Sequence, residues 1–219
     1  MPSLRWRYID MIAPDIEDIF LLDDIDDMNI FGDEEVETTK KIESKSIKIN
    51  EKIKLLSLMK KEHLSQCLKE IPKLGESLHI ISNGSFDFWT FIPFLIDKLG
   101  GVGEFFGSTW TLNRQNCKEL LELFDEHKIK KIGFLTGLYF KRREASVYST
   151  LLTGLSDRGQ KYKCLENHAK VAIFENGSDY ITIEGSANFT SNPRIEQYTI
   201  SNSRELFYFH REWMEGILS

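Results

Sequence analysis

Cysteine and proline are both scarce: three cysteines and five prolines in 219 residues. Cys67, Cys117 and Cys164 lie far apart, with neither metal-ligand spacing nor an even-numbered framework. That excludes a disulfide-stapled scaffold and a cysteine-bound zinc site. No stretch approaches the roughly 20 uninterrupted apolar residues of a membrane-spanning helix, so no membrane partner is expected. The opening Met1-Pro2-Ser3-Leu4-Arg5-Trp6-Arg7 lacks the apolar core and small-residue cleavage site of a secretion signal. The expected setting is reducing and cytoplasmic. There is no internal repeat and no long low-complexity run.

What is present belongs to a folded chain. Apolar residues make up 41% and aromatics 12%, enough to fill the core of one α/β domain with an appendage. Net charge is −6 but unevenly spread. Residues 1–39 carry −10 and residues 40–77 carry +5. An acidic block followed by a basic one points to an appendage with a protein partner of its own or an intramolecular contact. Global acidity argues against indiscriminate nucleic-acid binding, yet leaves room for a local basic groove.

Three segments follow. Residues 1–39 alternate Ile, Leu and Phe with Asp and Glu, as a short helix, a weakly ordered leader or a peptide folding on a partner would. Residues 40–76 begin as a Lys-rich linker and continue as amphipathic helix, with Ile53, Leu55, Leu56, Leu58, Met59, Leu64 and Leu68 at helical spacing. Residues 77–219 alternate strand and helix. Strands are expected at Ser77–Ser82, Glu104–Thr111, Lys131–Phe140, Tyr162–Leu165, Ala169–Phe174, Tyr180–Glu184 and Gln197–Ile200. Helices are expected at Phe88–Leu99 (capped by Asp87), Gln115–His127 (capped by Asn113), Ala145–Asp157 and Arg204–Leu218. Strand–helix alternation giving way to clustered strands predicts an α/β fold with a mixed central sheet flanked by helices, preceded by a helical and acidic N-terminal extension. The glycines of Gly101-x-Gly103 precede a strand instead of following one, so they read as a turn and not a dinucleotide loop.

The chemistry concentrates in two short pieces. In Asn167-His168-Ala169-Lys170-Val171, a strand would place His168 and Lys170 on one face. An imidazole and an ammonium side by side at the end of a buried strand are costly to dehydrate and make sense beside an anion. In Gly185-Ser186-Ala187-Asn188, Gly185 permits close backbone approach, while Ser186 and Asn188 can donate into one site. Glu196 is placed to accept from the imidazole and fix its tautomer. The plainer alternatives are a core histidine beside a snorkelling lysine, an ordinary turn, and a surface ion pair for Glu196.

His168-x-Lys170 followed by Gly185-Ser186-x-Asn188 resembles the HxK…GSxN signature of the phospholipase D superfamily. Strand and helix order extends the resemblance over about residues 77–218. Where that family usually has Asp five positions after the Lys, this chain has Glu175, with Asp179 nearby. His63, His79, His127 and His210 are not followed by Lys two residues on, so the chain has one such motif. The resemblance is therefore to the small bacterial endonuclease branch. It implies a C₂ homodimer with the active site across the interface and a metal-free, cofactor-free hydrolase acting through a phosphohistidine. His168, Lys170, Ser186, Asn188 and Glu196 would be catalytic. The implied substrate is nucleic acid, with DNA ranked ahead of RNA. Lys141, Arg142 and Arg143, with Tyr139 and Phe140, and Lys163 beside the motif, are candidates for tracking its backbone. A catalytically weak or inactive nucleic-acid-binding module, and a lipid phosphodiesterase, are the competing readings.

Overall fold

The computed structural model describes residues 55–191 and 193–219. The acidic leader and most of the Lys-rich segment lie outside the described residues. The first described element, α1, is helical over residues 55–67. Its Leu64 and Leu68 are fully buried in the main core, so this helix packs against the sheet domain. Lys60 ties it down further, donating to Asp87 at 2.9 Å and to the Ser191 hydroxyl at 2.5 Å.

The remaining elements follow in order. They are β1 (Ser77–Ser82), α2 (Phe88–Leu99), β2 (Val102–Thr109), α3 (Arg114–Asp125), β3 (Ile129–Gly137) and α4 (Leu138–Arg143). Then come α5 (Ala145–Asp157), β4 (Lys161–Leu165), β5 (Val171–Glu175), β6 (Tyr180–Gly185), β7 (Glu196–Asn202) and α6 (Arg204–Leu218). The expected caps form. Asp87 and Thr90 make a reciprocal capping box at the start of α2, and the Asn113 side chain accepts from Asn116 N at 2.8 Å to start α3. Gly100 ends α2 in the left-handed region, at φ 72°.

All seven strands join one mixed sheet in the order β1-β7-β6-β5-β2-β3-β4. β2, β3 and β4 run parallel, linked through helices. The ladders β1–β7, β7–β6, β6–β5 and β5–β2 are antiparallel. These directions bring the C-terminal ends of β1, β2, β3, β4 and β6, and the starts of β5 and β7, to one edge of the sheet. In open α/β sheets that edge is where ligands bind.

Alternation along β5 sets the two layers. Ala172 and Phe174 face the main core under α1, α2, α3 and α5; Val171 and Ile173 face Phe207 and Met214 of α6. β5 is thus covered on both sides, as its apolar run implies. An ionic cluster fixes α6 in place. Glu104 accepts from Arg211 at 2.6 and 3.0 Å and from Lys131 at 2.9 Å, and Lys131 also reaches Glu215.

Two expectations change. Leu138, Tyr139 and Phe140 were expected to extend the third strand; they begin α4 instead. The neighbouring β2 pairs no further than Thr109 with Thr136, so the backbone beyond Gly137 has no ladder partner and takes helical hydrogen bonds. Likewise Ala169 and Lys170 precede β5 and do not lie within it. The Asn167 side chain accepts from Ala169 N at 3.0 Å, a local bond that competes with strand pairing. Among the described residues, no helix is long and apolar enough to cross a membrane.

Candidate active site

The segment carrying His168 is fastened to the end of β2. Asn167 Nδ2 donates to Ser108 Oγ at 2.9 Å and to the Thr109 carbonyl at 3.3 Å, and Ser108 Oγ donates to the Ala169 carbonyl at 3.3 Å. Side-chain hydrogen bonds thus hold what lies outside the ladder, leaving His168 exposed at the sheet edge. Lys170 folds back onto it. Its Nζ is 3.0 Å from His168 Nδ1 and donates to the His168 carbonyl at 2.8 Å. An ammonium can only donate, so Nδ1 accepts and the ring proton sits on Nε2. Burial holds the Lys170 pKa below the ordinary lysine value, while the Glu196 carboxylate works in the opposite sense.

The second piece is set by packing. A Cβ on Gly185 would lie 2.7 Å from the Tyr198 ring and 2.9 Å from the Gln197 carbonyl, so only glycine allows β6 and β7 to approach as they do. Ser186 N then donates to the Gln197 carbonyl at 3.1 Å, and Gln197 N donates to Ser186 Oγ at 3.1 Å. The Ser186 hydroxyl donates to Glu196 Oε2. Beyond it, Ala187 and Phe189 are buried. Phe189 packs 4.4 Å from the Phe88 ring, and its backbone bonds Thr109 Oγ1 and Asn116 Nδ2. This loop is rigidly seated. Between its anchors stands Asn188, whose buried carbonyl oxygen has no hydrogen-bond partner among the described residues. A buried acceptor left so is costly.

The five expected catalytic residues divide accordingly. Lys170 touches His168; the Glu196 charge acts on Lys170; Ser186 bonds Glu196. Asn188 lies two residues beyond Ser186 in the same loop. The contact at Nδ1 of His168, expected from Glu196, is supplied by Lys170. Behind them, Glu184 Oε1 lies 3.3 Å from Nε2 of the buried His210, whose Nδ1 accepts from Trp213 Nε1 at 3.1 Å. Burial pushes the His210 pKa down, against the pull of Glu184.

The basic candidates are more scattered. Lys141, Arg142 and Arg143 are exposed on α4; Lys141 lies over the Tyr148 ring and Arg143 over Tyr139. Phe140 is wholly buried and cannot meet a ligand. Lys163 donates to the Ile217 carbonyl at 2.7 Å and so caps the end of α6. Glu175 ends β5 at the opposite edge, accepting from Gly177 N at 2.6 Å in the β5–β6 turn, where it is structural.

The sequence reading included Tyr139 among the candidates but missed Trp110 and the stack the two rings form at the site edge. Trp110 follows β2 and Tyr139 follows β3, and their rings stack at 4.2 Å and 15°. The Trp110 ring is also 5.4 Å from that of His168. A shallow cleft of about 310 Å³ is lined by Trp110, Leu138, Tyr139, Glu166, Asn167 and His168. Two aromatics just past the ends of neighbouring parallel strands were the available signal.

One edge of the sheet thus carries both a histidine–lysine pair and a Gly-Ser-x-Asn loop. Solved structures to which this chain is similar include Nuc from Salmonella typhimurium, a phospholipase D family member. It is 15% identical, with a TM-score of 0.47, over 64% of this chain and 93% of that one. NucT from Helicobacter pylori is 14% identical, with a TM-score of 0.45, over 65% and 96%. TrmBL2, an archaeal chromatin protein with a novel mode of DNA binding, is 10% identical, with a TM-score of 0.46, over 94% and 81%. No family model and no curated protein matches the sequence.

Proposed function

We propose that this chain is a metal-independent phosphodiesterase, a nuclease acting through a phosphohistidine as a homodimer. The observation that carries the reading is the contact of Lys170 with His168 at the same sheet edge as the Ser186–Glu196 hydrogen bond. One imidazole, one ammonium, one hydroxyl and one carboxamide suit a phosphodiester: the cation and the amide N–H₂ take the non-bridging oxygens, joined by the Ser186 hydroxyl once it turns from Glu196, and the imidazole meets phosphorus.

With Nδ1 held by Lys170, Nε2 is the nitrogen that faces outward. Attack through Nε2 needs the ring proton on Nδ1. An incoming phosphate draws the Lys170 ammonium to its own oxygens and frees Nδ1, and solvent water then takes the Nε2 proton and returns one to Nδ1. Nε2 then gives its electron pair to phosphorus, and the P–N bond forms as the P–O bond to the leaving group breaks. His168 of a second copy, entering as the imidazolium, protonates the leaving oxygen. It next takes a proton from water, whose oxygen displaces the imidazole from phosphorus and restores both rings. One motif per chain is why two copies are needed.

The test is incubation of the full chain with DNA and with RNA in EDTA, beside His168→Ala. Cleavage by the wild type alone supports the reading. Activity retained by His168→Ala, or abolished by the chelator, refutes it. Lys170 occupying Nδ1 also fits a nucleic-acid binder with little activity; equal retention of DNA by both proteins without cleavage would select that reading.

A further inference from the structure

The cleft beside His168 has a chemistry of its own. Two of its six lining side chains are the stacked Trp110 and Tyr139 rings, and none is a lysine or arginine. Glu166 adds a carboxylate, which repels phosphate and accepts hydrogen bonds from N–H groups. An anion therefore belongs at Lys170, and the cleft suits something planar, uncharged and bearing N–H donors. Its volume lies at the small end of ligand pockets, room for one nucleoside and not for a duplex.

We propose that this cleft is a nucleobase subsite, in which the base next to the scissile phosphate stacks on the Trp110–Tyr139 pair while Glu166 accepts from its N–H edge. The inference rests on the reading of His168 as the reacting group, since it places the base one ring away from that imidazole, 5.4 Å from Trp110. Aromatic faces bind any base with a free π-face, so the subsite tolerates sequence. A base inside a duplex has both faces occupied. The substrate class is accordingly a strand with unpaired bases, or a nucleotide turned out of its stack. The aromatic pair is built in: a Cβ on Gly137 would lie 2.5 Å from the Trp110 ring, and Gly137 N donates to the Trp110 carbonyl at 3.2 Å. Arg143 holds the Tyr139 hydroxyl at 2.6 Å.

The test is calorimetric titration of the full chain with deoxyadenosine 5′-monophosphate and with 2-deoxyribose 5-phosphate, which lacks the base. Neither has a diester to cleave, so binding is read apart from activity. The nucleotide should bind roughly 5- to 100-fold more tightly, the usual range for loss of one base-stacking contact. Trp110→Leu and, separately, Tyr139→Ser should remove that advantage, and Trp110→Phe should restore most of it. Equal affinity for the two ligands, or an unchanged advantage in a Tyr139→Ser protein that melts like the wild type, overturns the proposal. If the advantage stands but His168→Ala cleaves DNA normally, the subsite survives and the proposed chemistry fails.

Discussion

The ammonium of Lys170 grips His168 at two points, Nδ1 at 3.0 Å and the backbone carbonyl at 2.8 Å. The two side chains therefore behave as one unit, in which the lysine orients the ring. Because burial keeps the Lys170 pKa below the ordinary lysine value, this unit loses its charge earlier on the alkaline side than a surface lysine would.

The first expectation follows from that sign. Cleavage should decline with rising pH at a point below the ordinary lysine value, as Lys170 gives up its proton. Lys170→Arg, which stays charged, should move that decline to higher pH at reduced activity. Lys170→Met should lower kcat on the order of 100- to 1,000-fold. A pH–rate profile of the three proteins decides it.

Glu196 pulls the Lys170 pKa upward, opposing burial. Glu196→Gln keeps an oxygen to accept from Ser186 but removes the charge. Its alkaline decline should come at lower pH than in the wild type. An unmoved decline would mean that the carboxylate does not act on Lys170.

Gly185→Ala should cost roughly 1–3 kcal/mol, because the added methyl meets the Tyr198 ring and a backbone carbonyl that cannot turn aside. Urea denaturation monitored by circular dichroism measures the loss. A neutral substitution would show that β6 and β7 can separate without penalty.

Helix α1 is part of the core and not an accessory. Leu64→Ala should lower stability by about 2–5 kcal/mol, the range for emptying a fully buried leucine site. The same denaturation experiment reads it, and a change within a few tenths of a kcal/mol would place the helix outside the cooperative unit.

His210 supplies an acid-side prediction. Its pKa is lower in the fold than in the unfolded chain, chiefly through burial. The unfolded state therefore binds the proton more readily, and stability is lost as pH falls below the ordinary imidazole value near 6.5. His210→Gln should show a smaller drop in urea midpoint between pH 7.5 and pH 5.5 than the wild type.

Much of this was legible in the residues themselves. Asp87 and Asn113 marked helix starts, Gly100 marked a stop, and the apolar run from Val171 to Phe174 marked a strand covered on both faces. Local chemistry fixes those features. Asn167 misled the reading because its side chain captures Ala169 N, so His168 and Lys170 leave the strand that alternation alone would give them. Tyr139 misled it because the end of β3 is decided by where β2 stops, which is a tertiary fact. The Trp110–Tyr139 stack joins residues from two strands, and no window along the chain contains both. Lys163 looked like part of a basic patch, yet its position relative to α6 makes it a helix cap.

The ladder between β1 and β7 joins Ser77 to Ser201, 124 positions along the chain. During synthesis β1 must wait, its partner edge bare, until the chain has been made as far as Asn202. The sheet cannot close vectorially, since β7 begins only at Glu196. A nascent or truncated chain ending before that strand has His168 and Lys170 but not Glu196, so this edge of the sheet matures late.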